Sequence, residues 1–113
     1  MFSHEAHLRL AYIHIRKYGA EQAEKNMCDQ ILKFATSLNF TDKFNKTVTV
    51  AAVKMVNHFI QKSDSDSFKG LIQEFPRLNT SFRELLAQHY GFDIFKNKKA
   101  KQEYLEPDLA PFT

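Results

Sequence analysis

Three of the chain's five histidines, His4, His7 and His14, fall within its opening MFSHEAHLRLAYIHIRK. Imidazoles at this spacing suggest two chemistries: ligation of a divalent metal by neutral ring nitrogens, or proton transfer near neutral pH. If the stretch is helical, His4 and His7 lie one turn apart. Both rings then point the same way and could supply two ligands, with a third from another helix. On a wheel of about 100° per residue, His7 and His14 fall about 60° and about 80° to one side of His4, whereas Leu8, Ile15 and Tyr12 fall on the other. The histidines therefore border an apolar stripe, where desolvation shifts an imidazole pKa. The alternative is structural: a bordering histidine packs and makes one hydrogen bond. The first helix holds no HExxH or ExxH, and spacing alone favours the structural alternative.

Candidates for a third ligand are His58 and His89. His58 lies about 40° from Phe44 on a helix wheel, on the apolar side, and is expected to face the first helix. His89 precedes a Tyr90-Gly91 stop, where it complements a helix C-terminus. Other chemistries have less behind them. The three glycines are scattered, so there is no phosphate-cradling loop. Cys28, the lone cysteine, reads as a buried structural thiol. Lys96, Lys98, Lys99 and Lys101 form a basic cluster with no base-stacking aromatics interleaved beyond Phe95, so a solvated face is expected there and nucleic acid is not.

The elements that must position these groups are helices. The composition of the 113 residues is 43% hydrophobic and 26% charged, with 11 Phe, which suits one globular domain, 1–113, with a real core. A single cysteine suits a reducing compartment, and no apolar leader or membrane-length run is present. A cytoplasmic protein without membrane contact is therefore expected. The net charge of +3 is too weak to argue for nucleic acid by itself. Ser3 is the expected N-cap of a first helix ending at Tyr18, with Gly19 as a left-handed C-cap. Ala23, Met27, Ile31, Phe34, Ala35 and Leu38 form the stripe of a second helix from Ala20. Thr41 is expected to cap a third, running to Lys62; its TVTVAAV run resembles a strand, but the helical period from Phe44 to Phe59 overrides that. A fourth helix, Phe68 to Phe75, stops at Pro76. A fifth starts at Thr80 or Ser81, with Ser81 and Glu84 as a capping box, and runs to Gly91. Asn97 caps one or two turns through Leu105. Pro107 and Pro111 end regular structure, and Leu109 and Phe112 are expected to lay the tail on the body.

The opening FSHEAHLRLAY resembles a group of small bacterial proteins of no established activity that begin F-x-H-x-x-H-L-R-x-A followed by an aromatic. Two further motifs agree in order. A central K-[FY]-H-x-T-x-T is matched by KFNKTVT, Lys43 to Thr49, and a closing P-D-L-x-P by Pro107, Asp108, Leu109 and Pro111. The resemblance marks His4, His7, Thr47, Thr49 and Asp108. It also exposes a departure: the group's central histidine is Asn45 here, a poor ligand for zinc-like metals and no base. The structural alternative at Thr47 is a bond back to a carbonyl one turn earlier.

Together these observations predict an all-α fold, a compact bundle of four to five helices with the C-terminal tail packed on it. The first functional expectation is a ligand- or partner-binding domain with a polar pocket of His4, His7, Asn45, Thr47, Thr49 and His58. The second is a metal-dependent or acid–base enzyme using His4 and His7 with a divalent metal. The third is an interaction module using the basic region near Lys96.

Overall fold

A computed structural model describes residues 4–39 and 44–112. The expectations for Ser3, for Thr41 and for the imidazole of His4 fall outside the described residues and side chains. The fold is all-α. Three long helices, α1 (His4–Tyr18), α2 (Ala20–Ser37) and α3 (Lys46–Lys62), pack against one another pairwise. Four short ones follow: α4 (Phe68–Glu74), α5 (Arg77–Thr80), α6 (Phe82–Ala87) and α7 (Lys98–Gln102). The radius of gyration is 13.5 Å, close to the roughly 13 Å of a compact domain of this length.

One residue joins α1 to α2. The Gly19 amide donates to the Ile15 carbonyl (2.8 Å), and its own carbonyl accepts from Ala23 (3.0 Å). Its φ of 87° is positive, as expected, but ψ is 162°, so the backbone is extended rather than a left-handed cap. Only glycine takes that conformation cheaply.

TVTVAAV is helical, and α3 begins at Lys46 rather than after Thr41. Asn45 is the reason. It is extended (φ −131°, ψ 109°), and its side chain accepts from the Val48 amide at 3.0 Å. Asparagine ranks among the best N-caps, above threonine. Phe44 is thereby left outside the helix.

A short extra helix, α5, precedes the expected fifth, so the described residues hold more helices than the expected four to five. Pro76 has a helical φ of −62° and opens α5; Ser81, at φ −138°, interrupts the chain before α6. The Ser81 side chain makes no cap bond, so the capping box does not form, and α6 stops at Ala87, short of Gly91. Ser67 caps α4 through the Gly70 amide (3.1 Å), and Asn97 caps α7 through Ala100 (3.0 Å). The last helix ends at Gln102, before the expected Leu105.

A single apolar cluster draws on every long helix: Leu8, Ala11, Tyr12 and Ile15 of α1, Ala23 and Met27 of α2, and Ala51, Val53, Met55 and Val56 of α3. Leu71, Leu78, Leu86 and Phe112 close it from the C-terminal half. The α2 stripe is wider than the face that is covered. Ala23, Met27 and Ala35 are buried, whereas Phe34 and Leu38 are exposed.

Candidate functional site

The structure divides the predicted site residues among three places. His7, Asn45 and Thr49 share the wall of a cleft of about 760 Å³. Leu8 and Ala11 come to it from α1, Met27 and Ile31 from α2, and Val48, Ala52 and Val53 from α3. Phe44, Phe82 and Phe95 complete the apolar surface, and Arg83 and Lys101 add charge. His7 is half-buried there, one turn before Ala11. The α1 period puts it on the cleft because Leu8 and Ala11, its neighbours on the wheel, are core residues.

The polar groups on the α3 side are already committed. The Asn45 oxygen takes the Val48 amide, and its amide nitrogen donates to the Ile94 carbonyl at 2.7 Å. The Thr49 hydroxyl donates to the Asn45 carbonyl at 2.9 Å. That carbonyl also accepts the Thr49 amide at 3.0 Å. The backbond expected one turn back therefore belongs to Thr49, not Thr47.

Thr47 lies away from the cleft and is fully buried. Its hydroxyl donates to the Glu103 carbonyl (2.8 Å) and accepts from the Leu105 amide (3.0 Å), using both capacities to hold the segment after α7. His58, half-buried, does not line the cleft. It sits against the C-terminal tail, where burial lowers its pKa, helped by Lys62; a hydrogen bond with the Phe112 backbone raises it, and His89 lowers it. The expectation has it face the first helix; the structure sets it beside the Phe112 backbone, Lys62 and His89. Phe44, from which the wheel is counted, lies outside α3, so that phase does not carry to His58.

The other two histidines are structural joints. The His89 Nδ1 lies 2.8 Å from the Ala110 carbonyl, so Nδ1 carries the proton, and its ring stacks on Phe112 at 4.3 Å. The His14 Nδ1 and Nε2 face the side-chain amides of Asn26 (3.2 Å) and Gln30 (3.3 Å) of α2. Gln22 donates to the Asn26 oxygen at 2.9 Å, which turns the Asn26 nitrogen toward Nδ1. A neutral ring then has its proton on Nε2, and Gln30 must present its oxygen.

Among the described residues no three His, Cys, Asp or Glu side chains are grouped to hold a metal. Cys28 is half-buried, and burial pushes its thiol pKa up, away from a reactive thiolate. Of the basic cluster, Lys96, Lys98 and Lys99 are exposed, with Lys99 3.6 Å from Glu103, whereas Lys101 turns to the cleft. No sequence signal pointed to Arg83. Its guanidinium lies over the Phe95 ring at 4.0 Å, a contact made across the α6–α7 connection that no local spacing encodes.

Among the described residues, fold and site define an all-α helical domain with a large, mainly apolar cleft that carries basic side chains. Comparison with protein-family models, curated proteins and solved structures finds no significant match. Among the described residues no helix is long and apolar enough to cross a membrane.

Proposed function

We propose that this is a cytoplasmic ligand-binding domain and that the cleft bordered by His7 is its binding site. The cleft itself carries the reading. Its volume of about 760 Å³ falls inside the roughly 300–1,000 Å³ of small-molecule sites, and it has an apolar wall with a few polar groups, as such sites do. The resemblance to the small bacterial proteins belongs to the same proposal. His7 of the opening motif meets Asn45 and Thr49 of the central motif across one cleft, and Asp108 of the closing motif accepts the Gly91 amide at 2.7 Å. The last contact anchors the tail.

N-phenyl-1-naphthylamine, an uncharged apolar fluorophore, tests the site. It should bind saturably, one molecule per chain, and Ala52→Phe, which fills the cleft, should abolish binding. Absence of saturable binding to the folded protein overturns the proposal. So does binding unchanged in an Ala52→Phe variant that keeps the wild-type circular dichroism and a cooperative melt.

A further inference from the structure

We infer that the cleft takes an amphipathic organic anion: an apolar, ring-sized or chain-like body with one carboxylate, sulfonate or similar head. This rests on the cleft being a binding site and adds the class of its ligand. Two observations carry it. First, among the described residues every ionisable side chain on the wall is basic: His7, Arg83 and Lys101. A wall of one charge sign inside low-dielectric surroundings raises the local concentration of the opposite sign. Second, the inner polar groups are spent. Asn45 is engaged through both its oxygen and its nitrogen, and Thr49 gives its proton to a backbone carbonyl. The part of a ligand that lies against Val48, Ala52 and Val53 meets apolar side chains, and the polar groups beside them already hold protein partners, so that part is apolar.

Arg83 is the group suited to the head. Among the described residues it makes no ion pair, and its Cζ lies over the Phe95 ring, 4.0 Å from the centroid. Stacking covers one face of the guanidinium and leaves its N–H edge for a bidentate anion. Phe95 also lines the cleft, so the head would sit where the apolar wall ends.

The test compares two probes with the same anilinonaphthalene body. 1-Anilinonaphthalene-8-sulfonate carries the anion, and N-phenyl-1-naphthylamine lacks it and is the more apolar. At low salt the sulfonate should bind at least about tenfold more tightly than the neutral probe, the scale of one charge-assisted contact. Arg83→Gln should weaken the sulfonate about tenfold and leave the neutral probe within about twofold, Arg83→Lys should recover part of the loss, and salt should weaken the sulfonate alone. Lys101→Gln gives an independent reading of the same loss. If the neutral probe binds as tightly as the sulfonate, or neither substitution weakens the sulfonate, the anion assignment is overturned while the cleft stands as a binding site. Sulfonate binding that survives Ala52→Phe also overturns it. If neither probe binds, both readings fall.

Discussion

Thr47 and Thr49 sit two residues apart, are both buried, and do different work. Thr47 bridges two backbone groups of a distant segment, Glu103 and Leu105. Replacing it with valine keeps the shape but leaves a part-buried N–H and a part-buried C=O without their partner. Thr47→Val should cost about 2–4 kcal/mol in urea unfolding. Thr49→Val removes only a second bond to a carbonyl that already accepts the Thr49 amide, and should cost less than about 1 kcal/mol. Equal losses would contradict the assignment. His58 gives the pH dependence at this scale. Burial and Lys62 lower its pKa from the ordinary 6.5. The unfolded chain then binds the proton more tightly than the folded one, so stability is full above pH 6.5 and is lost as pH falls through the folded value. Between pH 7.5 and pH 5 the wild type should lose more stability than His58→Gln, whose amide keeps a donor for the Phe112 backbone. A variant that loses as much as the wild type would show that His58 is not the titrating group.

At the scale of elements, the joints decide the fold. Gly19 has nothing within 4 Å of where a Cβ would stand, so substitution there meets no clash. The whole cost of Gly19→Ala is therefore backbone conformation at φ 87°, ψ 162°, and thermal or urea unfolding should report about 1–3 kcal/mol. A neutral Gly19→Ala would mean that α1 and α2 meet differently. This joint was legible because glycine's role is local, and so was the Asn97 cap. The start of α3 was not. Thr41 and Asn45 both cap well, and the choice turns on Asn45 also reaching Ile94, 49 residues away. The site was legible to the same extent: the α1 period put His7 on the border of the core, but Arg83 enters the cleft only through its stack on Phe95.

At the scale of the whole molecule, the C-terminal tail closes the structure by reaching back over it. Tyr90 donates its hydroxyl proton to the Leu105 carbonyl (2.8 Å), Gly91 donates to Asp108, and the Leu109 amide donates to the His89 carbonyl (3.0 Å). A Cβ on Gly91 would stand 2.9 Å from the Asp108 carboxylate, so the tail lies against bare backbone there. Sequence pattern treats Leu109 and Phe112 alike, as two apolar residues in a Pro-punctuated run. The structure separates them: Leu109 is 62% exposed, and Phe112 is 6% exposed, stacked on His89 and joined to the central cluster. The Leu109 amide is fixed on the His89 carbonyl, and Phe112, three residues on, returns to the core beside the His89 ring. Phe112→Ala should therefore cost about 3–5 kcal/mol in urea unfolding and expose the tail to protease. Leu109→Ala should stay within about 0.5 kcal/mol of wild type, as surface substitutions do. If the two variants lose similar stability, the tail does not close the core through Phe112. If Phe112→Ala is cleaved in the tail yet melts as the wild type does, the tail is a separable strap rather than part of the cooperative unit.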